Sequence, residues 1–156
     1  MPAGGIQKIS AMEKLNIKFG SPEHGWMEIG LSSSSTEIVK NVSDVPCNSL
    51  YGLVMALLRL TEGSSEEIVE WSVEPEYLEW IFKKNGHDIE FIVKTPSDSI
   101  PAFVYKCEAS KLIHRFYKSL RDLETIPVWG QPDAIERIWS WEFPSSLLAT
   151  LKQKIG

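Results

Sequence analysis

Twenty-one acidic residues and three histidines are the side chains of this 156-residue sequence that could perform acid–base or metal chemistry. Acid–base catalysis needs such a group in a sheltered site, and a metal ion needs several ligands close together. His24, His87 and His114 stand apart from one another, and none belongs to a short metal-ligand spacing. The sequence also lacks the glycine-rich phosphate-binding motifs and the Gly-x-Ser-x-Gly nucleophile motif. We therefore expect no catalytic residue, no metal site and no cofactor.

The acidic residues are concentrated in the middle of the chain. The net charge of the whole sequence is −5, whereas residues 62–98 contain ten acidic residues and three lysines, which gives −7. A nucleic-acid site needs clustered cations, and the stripe Lys111, Arg115 and Lys118 is typical of a solvated helix face, so we expect no nucleic-acid partner. An acidic field favours the steering of a basic protein instead.

Composition places the chain among globular proteins. No apolar run approaches the ~18–20 residues of a membrane span, and the first sixteen residues lack the pattern of a secretory signal, so we expect no membrane partner. Cys47 and Cys107 belong to no Cys-x-x-Cys pair and are expected to be buried thiols. We predict a flexible leader at 1–13 and a single domain at 14–156.

The hydrophobic pattern changes period along the chain and predicts an α+β fold. We expect a mostly antiparallel sheet of about six to seven strands, a central helix inserted between strands, and C-terminal helices packed on one face. Ser43, Asp44 or Asn48 could cap the central helix, Pro46 suits its first turn and Gly63 its exit. Strands are predicted at 14–19, 25–31, 36–42, 66–73, 77–84, 87–94 and 101–107, and helices at 43–63, 110–124, 133–140 and 144–155.

Asn85-Gly86 predicts a type I′ hairpin, because both residues tolerate positive φ. A two-residue loop at this dipeptide pairs Lys84 with His87 and Trp80 with Phe91. One face of the hairpin is then entirely apolar and forms core, and a slip of one residue would destroy this sorting. The apolar face consists of Leu78, Trp80, Phe82, Ile89, Phe91 and Val93.

The opposite face of the hairpin is the candidate binding surface, if the strand at 66–73 lies beside it. Aliphatic and aromatic anchors rimmed by charge of one sign are what a protein-recognition surface needs. The glutamates lie on an open sheet and not in a sheltered pocket, so we do not expect them to be catalytic. Coverage of this face by helices is the open alternative. The predicted partner-binding residues are Glu70, Tyr77, Glu79, Ile81, Glu90 and Ile92.

Three stretches carry a family resemblance across residues 24–95: HGWMEIGL, VSDVPCNSLYGLVMALLRLTEG and EWSVEPEYLEWIFKKNGHDIEFIV. They resemble a group of small bacterial proteins with an HGW strand, a D-x-P-x-x-S-L helix and a W-x-x-E-P hairpin. Such small acidic proteins are similar to immunity proteins of polymorphic toxin and contact-dependent growth inhibition systems. The resemblance implies a cytoplasmic protein that binds and neutralises a cognate toxin, often a basic nuclease, and it supplies no catalytic residue.

Two other functions remain open. An enzyme could use an unrecognised site built from His24, Glu28 and neighbouring carboxylates, which would require a deep cleft. A structural or assembly subunit could oligomerise through Trp139 and Trp141, although these residues are expected to form the seam where the C-terminal helices dock.

Overall fold

Seven antiparallel strands form one sheet in the computed structural model, which describes residues 14–34 and 36–156. Each strand pairs with the next one along the chain, so the sheet is a simple meander. The α+β class and the strand number are confirmed, whereas the predicted leader at 1–13 lies outside the described residues. The strands are β1 Asn16–Phe19, β2 Trp26–Ser32, β3 Glu37–Ser43, β4 Glu66–Ser72, β5 Tyr77–Asn85, β6 Asp88–Lys94 and β7 Phe103–Glu108.

One helix joins β3 to β4, and the others follow β7. They are α1 Ser49–Thr61, α2 Ala109–Glu124, a 3-10 turn Pro127–Gly130, α3 Ala134–Arg137 and α4 Ser145–Ile155. The predicted start of α1 at residue 43 is wrong, because Ser43 ends β3 and Pro46 lies in the loop that follows. Asn48 is the cap, since its Oδ1 accepts a hydrogen bond from the backbone N–H of Tyr51 at 3.3 Å. No helix within the described ranges is long and apolar enough to cross a membrane.

The core lies between one face of the sheet and the helices. The rings of Trp80 and Phe91 on this inner face lie 5.8 and 5.3 Å from the ring of Phe116 in α2. α1 covers the inner side of β4, and α4 packs on both α1 and α2. Burial of each such aromatic side chain contributes roughly 1.5–3 kcal/mol, which anchors the helices to one face.

The hairpin of β5 and β6 keeps the predicted faces but not the predicted partners. Asn85 pairs with Asp88, and Trp80 pairs with Val93 rather than with Phe91. The loop residues are therefore Gly86 and His87, and only Gly86 has a positive φ, +65°, as in a type II′ turn. Because the shift is two residues, every side chain stays on its predicted face. All six predicted core residues are buried.

The sheet separates between β3 and β4. The two strands share a single pair, Ser43 with Ser72, and then diverge. The first turn of α1 fills the gap, and the Ser49 hydroxyl donates a hydrogen bond to the backbone carbonyl of Glu70. β4 therefore belongs with β5, β6 and β7, as the candidate surface requires.

Candidate functional site: the outer face of the sheet

The face opposite the helices carries an apolar row across four strands. The register aligns Ile68 with Ile81, Ile81 with Ile92, and Ile92 with Val104. We call these four residues the isoleucine row. Ile81 is only 8% exposed because its neighbours on the same face surround it, whereas Ile68 and Val104 at the two ends are 50% and 44% exposed. No helix within residues 14–34 and 36–156 covers this row, since Ile68 and Val104 remain exposed, so for the described residues the alternative of an outer face covered by helices is wrong.

Charges of alternating sign flank the isoleucine row on the side of the Gly86 turn. Each charged residue lies two positions from the row residue of its strand, about 7 Å away. In strand order from β4 to β7 the residues are Glu66, Lys83, Glu90 and Lys106. Lys106 Nζ lies 3.6 Å from Glu90 Oε2, while Lys83 has no ion pair within the described part of the chain. We call these four residues the alternating row.

The opposite flank of the isoleucine row is more acidic. Glu70 of β4 pairs with Glu79 of β5, and Glu79 pairs with Lys94 of β6. Lys94 Nζ lies 3.8 Å from Glu79 Oε1, which leaves Glu70 without an ion pair among the residues described. The loop that joins β4 to β5 adds two exposed carboxylates, Glu74 and Glu76. The negative field is therefore strongest at this end of the sheet, which we call the acidic end (Glu70, Glu74, Glu76 and Glu79).

All six predicted binding residues lie on the outer face of β4, β5 and β6. The alignment of Glu70 with Glu79 and of Ile81 with Ile92 brings them together. Tyr77 is half-buried beside the acidic end. The expectation of a rim with one sign of charge is wrong, because lysines share the face with the glutamates. The hairpin pattern also predicts Lys83 and Lys94 on this face, but the predicted binding set left them out. It missed Ile68, which could have been found by aligning 66–73 with the hairpin, and it also missed Glu66, Val104 and Lys106.

A second site surrounds the buried carboxylate of Asp44, which follows β3 and is 6% exposed. Its Oδ2 accepts hydrogen bonds from the backbone N–H and the hydroxyl of Ser140, both at 2.7 Å. Its backbone carbonyl accepts a hydrogen bond from Trp141 Nε1 at 2.7 Å. Gly25 lies against the same carboxylate with a φ of +82°. A Cβ at this position would lie 3.0 Å from Asp44 Oδ1, which is tighter than an ordinary van der Waals contact. We call this arrangement the Asp44 clasp.

The Asp44 clasp joins β3 to the segment that follows α3. Ser140 donates both its hydroxyl and its backbone N–H to one oxygen of the Asp44 carboxylate, so the contact ties together two distant parts of the chain. His24 borders the same depression of about 390 Å³, but its exposed ring lies 3.6 Å from Glu23 instead. Glu28 does not line this depression. His24 and Glu28 therefore do not form the deep cleft that an enzyme built on them would need.

The two C-terminal tryptophans belong to the docking seam. Trp139 is buried in the core, and Trp141 packs against the core while its indole binds the Asp44 carbonyl. The expectation of a seam is confirmed. An exposed aromatic patch that includes Trp139 is excluded by the burial of that residue.

An open groove of about 1770 Å³ runs between β1, β7 and α2. Four carboxylates line it, Asp88, Glu90, Glu108 and Asp122, together with eight cations: the cationic stripe of α2, Lys14, Lys18, Lys83, Lys84 and Lys106. Lys83, Glu90 and Lys106 of the alternating row therefore also border this groove. Burial raises the pKa of the Cys107 thiol in this groove, and the charges of Arg115 and Lys111 oppose that shift. Cys107 and Cys47 are both free thiols, but both are half-buried, so the expectation of buried thiols is wrong. Within the described ranges, no three histidine, cysteine or acidic residues lie close enough to hold a metal ion.

Comparison with protein-family models, with curated proteins and with solved structures found no match to this chain. The outer face, where an uncovered apolar row lies beside the acidic end, is therefore the part of the molecule that bears most directly on function.

Proposed function

We propose that this protein is an immunity protein that binds a cognate, basic toxin domain and blocks its activity. The observation that carries the proposal is the uncovered isoleucine row next to the acidic end, with Ile68 and Val104 exposed at its two ends. A sheet face that served only to meet solvent would have no need of three isoleucines and a valine in one row. The contact-dependent inhibition resemblance of the sequence agrees with this proposal.

The proposed mechanism divides the outer face into two parts. Glu70, Glu74 and Glu76 have no ion pair among the residues described, so their field is available to attract a basic partner and speed association. After encounter, Ile68, Val104 and the half-buried Tyr77 supply the apolar contacts from which water is excluded. The toxin is neutralised because its own basic, substrate-binding surface is occupied.

A growth assay tests the proposal. Genes adjacent to the one that encodes this protein are expressed singly in a laboratory bacterium, with and without this chain. We expect one product to arrest growth alone and to be tolerated when this chain is present. Replacement of Glu70, Glu74 and Glu76 by lysine should sharply reduce protection and remove most of the salt dependence of binding.

A matched variant controls for the change in net charge. Glu37, Glu136 and Glu142 are exposed and lie outside the candidate surface, so their replacement by lysine should leave protection intact. Both triple variants must retain the wild-type melting curve. Protection by the Glu70, Glu74 and Glu76 variant at the wild-type level would show that the toxin binds elsewhere.

A further inference from the structure

We propose that two copies of this chain associate through their outer faces as a two-fold symmetric dimer. The two-fold axis would run parallel to the strands, between the two sheets and midway between β5 and β6. Each strand then faces a different strand of the second copy, β5 on β6 and β4 on β7. Sheets that pack face to face keep their strand directions within about 30°, so the rows of residues stay roughly aligned.

The alternating row is complementary to itself under this operation. Its signs from β4 to β7 are negative, positive, negative and positive, and reversal of the order inverts every sign. Lys83 of one copy therefore faces Glu90 of the other, and Glu66 faces Lys106. In a symmetric interface each such contact occurs twice. The unpaired Lys83 acquires a partner in this arrangement.

The other two rows obey the same symmetry. In the isoleucine row, Ile81 faces Ile92 and Ile68 faces Val104, so the apolar residues cover one another. On the acidic side, Glu79 faces Lys94 of the other copy, and Glu70 faces the position of Ala102, which is uncharged. Across the three rows no charge meets a like charge. This pattern distinguishes a second copy from a partner with one sign of charge.

The size of the surface sets the strength of the dimer. Four strands of about seven residues offer roughly 450 Å² per subunit, from the usual strand spacing and rise. Stable complexes bury roughly 800 Å² per partner, so this dimer belongs to the weak class and should form at micromolar to millimolar concentration. The interface also hides the isoleucine row while no other protein occupies it.

Two charge reversals test the symmetry. Lys83→Glu places a glutamate opposite Glu90, and Glu90→Lys places a lysine opposite Lys83, at both symmetric sites. Each variant alone is expected to dimerise roughly 10- to 30-fold more weakly than wild type, because two exposed charge pairs change from attractive to repulsive. An equimolar mixture should recover a dimer within about threefold of the wild-type affinity, because each changed charge then meets its opposite. The mixed dimer must contain one chain of each kind.

The measurement uses the purified chain alone, so its failure is independent of any failure of the proposed function. Sedimentation equilibrium from about 1 µM to 1 mM gives the dissociation constants, and native mass spectrometry of one isotope-labelled variant identifies the mixed dimer. Lys118→Glu makes the same charge change on α2 and should dimerise as wild type. If a variant fails to fold, Glu66→Lys and Lys106→Glu replace it in the same design.

Each outcome of these measurements either supports or overturns the proposed dimer. A wild-type chain that stays at 17.6 kDa up to 1 mM overturns the proposal. So does a mixture of the two variants that remains monomeric, since that would mean that the charges do not face each other. Weakening by each reversal together with recovery in the mixture supports the dimer, because a change to the fold of one chain could not be repaired by a second chain.

Discussion

Asp44→Ala is expected to lower the free energy of unfolding by about 2–4 kcal/mol. The substitution removes the two hydrogen bonds that Ser140 donates to the carboxylate at 2.7 Å. Two hydrogen bonds to a charged group, each worth about 1.5–3 kcal/mol, would give roughly 3–6 kcal/mol, and the whole range is lowered here because Ser140 is exposed and water can reach its freed groups. The substitution should weaken the docking of α3 and the segment up to Trp141, because the clasp joins these residues to β3.

Equilibrium unfolding in urea, followed by tryptophan fluorescence, measures this loss. Asp44→Asn should cost less, about 1 kcal/mol, because an amide oxygen can accept both hydrogen bonds without the charge. Asp133→Ala is the control: it removes an exposed ion pair with Arg137 at 3.1 Å and should change stability by less than about 1 kcal/mol. An Asp44→Ala protein as stable as this control would refute the role assigned to the clasp.

The clasp gives a physical reason for two of the resemblance motifs. In HGW the glycine has φ of +82°, and the missing Cβ leaves room for the carboxylate of Asp44. In SDVP the aspartate supplies that carboxylate, and its backbone N–H donates a 2.9 Å hydrogen bond to the Gly25 carbonyl. These motifs therefore position the chain for folding and need not mark a reactive site.

Two further predictions concern the β5–β6 turn and Cys107. Gly86→Ala should lower stability by about 1 kcal/mol in a melting experiment, because Gly86 has a positive φ. Asn85→Ala should lower stability by much less, since Asn85 has a negative φ. Equal losses at the two positions would indicate a type I′ turn, in which both central residues have a positive φ. The raised pKa of Cys107 should contribute stability that is complete below the pKa of the unfolded thiol and is lost as the pH rises through the folded pKa. Cys107→Ser should flatten this alkaline loss in urea unfolding at successive pH values, and an unchanged slope would contradict it.

Local pattern predicted the faces of the sheet because alternation has a period of two residues. The two-residue error in the predicted hairpin register changed the partner of Trp80 from Phe91 to Val93. The rings of Trp80 and Phe91 nevertheless both lie in the core, as predicted. The start of α1 was missed because Pro46, after the polar residues Ser43 and Asp44, is compatible with either the first turn of a helix or a loop. Nothing local distinguishes the two when β3 continues to Ser43.

Long-range features could not be predicted from the chain alone. Asp44 and Ser140 are 96 residues apart, and no pattern links them until the C-terminal segment docks. The alternating row was missed for a related reason. Its signs become meaningful only when Glu66, Lys83, Glu90 and Lys106 are aligned across four strands, and three separate registers must be known for that alignment.

The two proposals place different demands on the same face, and the charges show how both can hold. A basic toxin would bind the acidic end, whereas the alternating row offers it as many lysines as glutamates and so no net attraction. A second copy, by contrast, uses the alternating row and gains nothing from Glu74 and Glu76. Both occupants nevertheless cover the isoleucine row, so they must compete for it. Because only the monomer exposes that row, the apparent affinity for the toxin should fall by the fraction of chains held in dimers. A weak dimer would thus protect the apolar residues at high concentration and release them to a tighter partner, which is the order of affinities that an immunity protein needs.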